Sequence, residues 1–157
     1  GSGGTIFATD SAGNIGIGTS VPSTSLDISV QTKFKTYSES VQYLTVSAGI
    51  ATVDLSQAQS FICTATADIT TFELLNPPSG STSFTIKIDQ DSTGNRGVGI
   101  DTFRNVSGTA IPIYWPGGIV PTVTTTANRT DIYSFKSFDI NVTSLGLYGV
   151  VGGQNFA

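Results

Sequence analysis

The sequence predicts an all-β protein: an antiparallel β-sandwich of jelly-roll type, preceded by a short β-hairpin. Three observations lead there. Most segments alternate apolar and polar residues with period two, the pattern of a strand buried on one side. Those segments are short and rich in Thr, Ile, Val, Phe and Tyr, side chains that suit a pleated surface. Turn chemistry separates them, at Asn76-Pro77-Pro78-Ser79-Gly80, Ser92-Thr93-Gly94-Asn95 and Pro116-Gly117-Gly118. The one helical candidate is a single turn near Gln57-Ala58-Gln59.

Taken in chain order, Gly1–Gly4 reads as a cloning remnant. Asp10-Ser11-Ala12-Gly13-Asn14 then reads as the turn of a hairpin that joins Thr5–Thr9 to Asn14–Thr19. The return strand puts Ile15 and Ile17 on one face and glycines on the other, which marks a close approach of another backbone. A two-stranded ribbon of this size is not stable alone in water. It must lie on the main domain or on other copies. Leu26–Val30 alternates as a strand, and Lys33 and Lys35 flank Phe34 on one wet face. Composition shifts near Gln31, dividing the chain into a segment over 5–31 and a sandwich over 32–157.

Within the sandwich, strands are expected at Val41–Ser47, Ile50–Leu55, Ser60–Thr66 and Ile69–Leu75. Phe84-Thr85-Ile86-Lys87-Ile88 alternates cleanly, with Phe84, Ile86 and Ile88 inward. Later strands are expected at Gly97–Asp101, Ile111–Trp115, Asp131–Phe138 and Leu145–Val151. The last two are apolar on both faces: Tyr133 and Phe135 oppose Ile132 and Phe138, while Leu145, Leu147 and Val151 oppose Tyr148 and Val150. A sandwich strand needs one inward face. The second face is expected under a long loop such as Pro116–Arg129, or in an interface between subunits.

Composition excludes several chemistries. The chain has 157 residues, no His, no Met and one Cys, with 7 basic and 11 acidic side chains for a net charge of -4. Without His there is no Ser-His-Asp or Cys-His machinery and no His-ligated zinc. One Cys allows no disulfide within the chain, and Cys63, in Phe61-Ile62-Cys63, is expected to be a small buried hydrophobe. Scattered basic residues argue against nucleic acid, which needs clustered positive charge. No apolar run is long enough for a membrane span, so no membrane insertion is expected. Charged residues make up only 11% of the chain, less than half the usual share, which leaves little to keep copies apart.

Candidate sites are few. Asp89–Asn95 has a passing likeness to a calcium loop, but Thr93 is a poor ligand and Ile100 stands where the closing carboxylate belongs. A hairpin loop is expected there, with no metal and no cofactor. Glycosidase chemistry needs two carboxylates facing each other across a sugar, and the acidic residues are scattered, so no catalytic residue is expected and the chain is read as no enzyme. Trp115 could stack on a sugar, or fill the core or an interface while Pro116-Gly117-Gly118 turns the chain. Recognition on a rigid sandwich is usually carried by polar loop residues, here Asn95, Arg96, Arg104, Asn105, Asn128 and Arg129. Asn105, Asn128 and Asn141 also open glycosylation sequons, which have no meaning in a protein made in bacterial cytoplasm.

Two stretches carry a resemblance. Asp10-Ser11-Ala12-Gly13-Asn14-Ile15-Gly16-Ile17-Gly18-Thr19-Ser20, then Pro22 and Leu26-Asp27-Ile28, resembles the "GNVGIGT…P…LDV" signature of bacteriophage tail-fibre shafts. Ile113-Tyr114-Trp115-Pro116-Gly117-Gly118, Val120-Pro121-Thr122, Asp131-Ile132-Tyr133-Ser134-Phe135 and Gly153-Gln154-Asn155-Phe156 are similar to the C-terminal domain of virion structural or tail-fibre proteins of marine tailed phages, cyanophages included. The departure lies at Asp139–Ser144, where those proteins carry a tight Asp-Gly-Gly turn. The resemblance implies a homotrimeric virion appendage outside the cell, with the N-terminal ribbon as the end of a shaft packed on its own copies. Its implied partners are itself, other virion proteins, and a host-surface glycan or outer-membrane component. Its implied function is host attachment by multivalent loop contacts. The alternatives are a purely structural fibre joint or capsid decoration, and a carbohydrate-binding or polysaccharide-cleaving module.

Overall fold

The computed structural model describes residues 7–139 and 146–157 and is almost wholly β. The chain divides into two compact units, residues 1–38 and 39–157. Gly1–Gly4, the first residues of the expected Thr5–Thr9 strand, Leu145 and the sequon at Asn141 lie outside the described residues.

The first unit is a three-stranded sheet in the order β1 (Ala8–Thr9), β2 (Ile15–Ile17), β3 (Leu26–Ile28). β1 and β2 pair antiparallel and β2 and β3 parallel. Asp10 builds the hairpin: its Oδ1 accepts the backbone N–H groups of Ala12 and Asn14, each at 2.9 Å, and its Oδ2 accepts the Asn14 amide. Those donors hold the Asp10 carboxyl below its ordinary pKa. Gly16 is buried, and the Thr19 carbonyl occupies the place its Cβ would take, so the close backbone approach comes from three residues further along the same chain. Among the described residues of this unit no large apolar side chain is buried. Leu26, Val30, Phe34 and Tyr37 are all more than half exposed. The expected strand around Phe34 does not form.

The second unit is a two-sheet sandwich. Its six-stranded sheet has the order β12 (Ile113–Tyr114), β14 (Leu147–Phe156), β13 (Thr130–Ser137), β9 (Thr82–Gln90), β7 (Ser60–Ala65), β4 (Val41–Tyr43). The five-stranded sheet has the order β11 (Ala110–Ile111), β10 (Phe103–Asn105), β8 (Thr71–Leu75), β6 (Ile50–Asp54), β5 (Val46–Ser47).

The all-β sandwich is as the sequence predicts, but the antiparallel jelly roll gives way to mixed sheets. From β6 to β10 each strand crosses to the opposite sheet, so β4, β7 and β9 run parallel in one layer and β6, β8 and β10 run parallel in the other. The chain winds as a flattened coil. Antiparallel pairing returns at the ends, where β5 folds on β6, β11 on β10, and β13 on β9 and β14. Alternation along a strand encodes which side is buried and nothing about its neighbour, so the coil leaves no trace in the period-two pattern.

Several boundaries move for local reasons. Pro112 cannot donate to a ladder, and at Pro112 the expected strand Ile111–Trp115 splits between the two sheets. Val41–Ser47 likewise divides into β4 and β5. The expected strand Gly97–Asp101 is a turn, closed by Thr102 N–H donating to the Gly99 carbonyl at 3.0 Å, with only a bridge from Val98 to Ile69. The residues near Gln57 make a turn, and a short 3-10 turn forms at Pro116–Gly118.

Inward aromatic rings join the layers. Phe103 of the five-stranded sheet lies 4.9 Å from Phe135 and 6.4 Å from Phe84 of the other. Phe72 stacks on Phe103 at 5.0 Å, and Phe61 meets Phe84 edge-on at 6.3 Å. Trp115 closes one end, edge-on to Tyr133 and Phe135. Cys63 is fully buried among them, its thiol pushed up to about 12 by desolvation and by the nearby Asp89 charge. Replacing Phe103→Ala removes the ring that touches both layers and should cost about 3–5 kcal/mol. Urea unfolding followed by fluorescence checks this, and a loss below about 1 kcal/mol would show that the layers hold without it.

Candidate functional site

The structure sorts the six predicted contact residues into two groups at opposite ends of the sandwich. Asn95 and Arg96 lie in the loop after β9, and Asn128 and Arg129 lie just before β13, which runs antiparallel to β9. These four come together. Arg104 and Asn105 lie on β10, whose last residue pairs with Leu74 near the far end of β8.

Most of these residues are committed to their own chain. Arg96 grips Asp91 Oδ2 through Nε at 3.2 Å and Nη2 at 2.9 Å, while Asp91 Oδ1 caps the turn by accepting the N–H groups of Thr93 and Gly94. The Arg96 hydrogen bond, helped by those two N–H donors, holds the Asp91 carboxyl below its ordinary value. Gln90 clamps the loop from below: Nε2 donates to the Arg96 carbonyl and Oε1 accepts the Arg96 N–H. Asn95 and Asn128 have φ of 58° and 57°, the left-handed region that Asn tolerates best after Gly. The Asn95 N–H donates to the Thr125 carbonyl and the Asn128 N–H to the Asp91 carbonyl, so the two loops are stitched together. Arg104 pairs with Glu73 across the outer face of the five-stranded sheet at 2.8 Å. Asn105 Oδ1 accepts the N–H groups of Ser107 and Thr109 and shapes the β10–β11 turn.

The calcium-like loop is a crossover from one sheet to the other, not the expected hairpin. Its carboxylates are spent on protein donors: Asp89 accepts from Lys87 Nζ at 2.6 Å and from the Thr130 hydroxyl at 2.5 Å. Among the described residues no three His, Cys, Asp or Glu side chains gather as a metal site would need.

A buried polar centre escaped the sequence reading. Asp131 is 1% exposed. Its Oδ2 accepts from the Thr124 N–H at 2.7 Å, the Tyr133 hydroxyl at 3.0 Å and Gln154 Nε2 at 3.2 Å, and its Oδ1 from the Asn155 N–H at 2.9 Å. Gln154 Nε2 also donates to the Thr122 carbonyl and the Tyr133 hydroxyl. One carboxylate thus ties together β13, the end of β14 and the loop before β13. Burial pushes its pKa up, and the donors of Thr124, Asn155 and Tyr133 outweigh that and leave it below the ordinary carboxylate value. Burial and the adjacent Asp131 charge raise the Tyr133 phenol well above its ordinary value. The spacing Asp131-x-Tyr133, at the start of an alternating strand, was the available signal. It placed the carboxylate on the same face as Tyr133 and Phe135.

The second feature is a cleft at the edge of the six-stranded sheet. β12 pairs with β14 over Ile113↔Leu147 and Tyr114↔Tyr148, then leaves through Trp115. The notch is about 310 Å³, lined by Tyr114, Trp115, Pro116, Tyr148, Gly149 and Val150. Trp115 is buried, 7% exposed, with its ring against Gly149, where a Cβ would sit 2.6 Å from a ring carbon. The core reading of Trp115 therefore holds within a single chain. Tyr114 and Tyr148 are 45% and 46% exposed, with ring centres 5.2 Å apart and planes 36° apart, and Phe138 meets Tyr148 edge-on at 5.7 Å. The loop Pro116–Arg129 leaves these outward side chains open. Lys136 stands directly across from Tyr148 on the same face. It makes no ion pair among the described residues, whereas Lys87, Arg96 and Arg104 each have a carboxylate.

The chain matches no protein-family model, no curated protein and no solved structure in comparisons with each.

The Asp131 centre has a pH signature. A depressed carboxyl pKa contributes stability that is present above its unfolded value of about 3.9 and is lost as pH falls through the folded value. Asp131→Asn should cost roughly 1.5–3 kcal/mol at neutral pH, because two backbone N–H groups lose a charged acceptor. The melting temperature of the variant should also fall less between pH ~5 and ~3 than that of the parent chain. Parallel melting curves for the two proteins over that range would show the acid sensitivity to arise elsewhere.

Proposed function

We propose that the chain is a non-enzymatic distal domain of a virion appendage, a phage tail-fibre tip that joins its copies along a shaft and attaches to the host cell surface. One observation carries this reading. The first unit presents strands of two or three residues with Leu26, Val30, Phe34 and Tyr37 more than half exposed. A sheet that small, with no buried apolar face, needs a partner. Copies of the same segment meeting along one axis supply that partner, and the resemblance of Asp10–Ile28 to a fibre-shaft signature gives the axis its identity. The 11% charge content supports close association, since few like charges oppose one another. Three sandwiches carried on one axis would attach by avidity, each contact weak by itself.

The second reading, a purely structural fibre joint or decoration, draws on a different observation. Arg96, Arg104 and Asn105 are held in ion pairs and turns of their own chain, which leaves the predicted loop contacts little freedom to engage a receptor.

Light scattering should give a mass three times the 16.3 kDa of one chain at micromolar concentration. Ile15→Asp and Leu26→Asp together should return it to one chain while the sandwich keeps its melting transition. A monomeric parent chain overturns the reading. Binding of the labelled chain to a panel of marine bacteria, cyanobacteria included, separates attachment from the structural alternative, which predicts none.

A further inference from the structure

We propose that the notch between β12 and β14 is a subsite for an acidic sugar, with Tyr114 and Tyr148 stacking on the ring and Lys136 taking its carboxylate. The inference deepens the attachment reading and rests on it for the source of the sugar.

The geometry is that of a small, rigid, half-wet receptor. Two phenol rings, each nearly half exposed and tilted 36° apart, line the notch together with Gly149 and Val150. Each presents an apolar face to the C–H side of a sugar and a hydroxyl to its rim. Their backbones are fixed by pairing at Tyr114↔Tyr148, and the Trp115 ring against Gly149 stiffens the floor. The volume of about 310 Å³ suits one or two sugar units and lies at the low end for a ligand pocket. An extended peptide needs a longer groove than this single notch.

Charge selects the acidic sugar. In a chain of net charge -4, three of the four basic side chains on the strands and on the loop after β9 are neutralised by Asp89, Asp91 and Glu73. Lys136 is the exception. Its cross-strand partner is Tyr148, and directly opposed residues on one face hold their Cβ atoms about 5 Å apart. The next outward positions around it, Ser83 on β9 and Ser134 and Val150 on the row above, bring no carboxylate. An anion stacked on Tyr148 therefore meets an ammonium group that makes no ion pair among the described residues.

The test uses the full chain and two defined probes, a trisaccharide of galacturonic acid and the neutral galactose trisaccharide, titrated by ligand-observed NMR. The acidic probe should bind and the neutral one bind more weakly by roughly tenfold, the worth of one charge-assisted hydrogen bond. Lys136→Gln should bring the acidic probe down to the neutral level with the melting temperature unchanged. Tyr148→Ala should lose both probes, and Tyr148→Phe should keep most of the binding, which guards against a folding defect. Equal binding of the two probes, no binding of either, or insensitivity to Lys136→Gln overturns the proposal. So does a change of oligomeric mass in Tyr148→Ala without an effect on sugar, which would assign the face to contacts between copies. Undiminished cell binding by the Lys136→Gln chain sinks the subsite and leaves attachment standing. Acidic-sugar binding by a chain that binds no cells supports the subsite and removes attachment as its setting.

Discussion

The sandwich depends on the contact of Phe103 with Phe84 and Phe135 across its two layers. From β6 to β10 each turn of the coil places one strand in either sheet, so these consecutive strands do not pair with each other and share no ladder hydrogen bonds. What holds β8 to β9, or β9 to β10, is burial of their inward side chains alone. Stacked and edge-on rings running from Phe61 and Phe72 to Trp115 and Tyr133 provide that burial in one continuous column. Ladder bonds then join each strand to a strand one turn away in sequence. This coupling ties together a unit in which many strands are only two to five residues long.

The coil would unravel at its final strands without a separate lock. β13 and β14 are antiparallel additions, and β14 continues well beyond its short partner β12. Asp131 anchors that extension by accepting hydrogen bonds from the backbone of Asn155 and the side chain of Gln154 while also holding Thr124. A carboxylate is tolerated at so buried a position because its lone pairs are occupied by donors that need no counter-charge. The same economy governs the loops after β9 and β10, where Asp91 and Asn105 shape turns with their own side-chain oxygens. Arg96, Arg104 and Asn105, which look available for recognition in a linear reading, are thereby consumed in ion pairs and turns of their own chain.

The two units stand in contrast. Residues 39–157 complete a core that includes Phe72, Ile86 and Tyr133 at full burial, while the three short strands of residues 1–38 bury no large side chain. The proposed role of the first unit in joining copies rests on this contrast.

The alternation of residues such as Phe84-Thr85-Ile86-Lys87-Ile88 determined by itself that the chain is β, and which side chains face inward. The Asp10–Asn14 turn was equally plain, since Asp, Gly and Asn at those places have one economical conformation. The burial of Cys63 followed from its neighbours and its chemistry, whereas Trp115 stayed open between a sugar contact and the core until the fold placed it in the core. Tertiary structure alone decided that β7 lies beside β9 and not β8, that Val41–Ser47 and Ile111–Trp115 divide between layers, and that Arg96 faces Asp91 and Arg104 faces Glu73. It also decided that Tyr114, Tyr148 and Lys136, distant in sequence, share one outward surface. The reason is physical: inward–outward periodicity is a property of a single strand, whereas pairing, register and side-chain partnership are settled by which strands the packed aromatic column brings side by side.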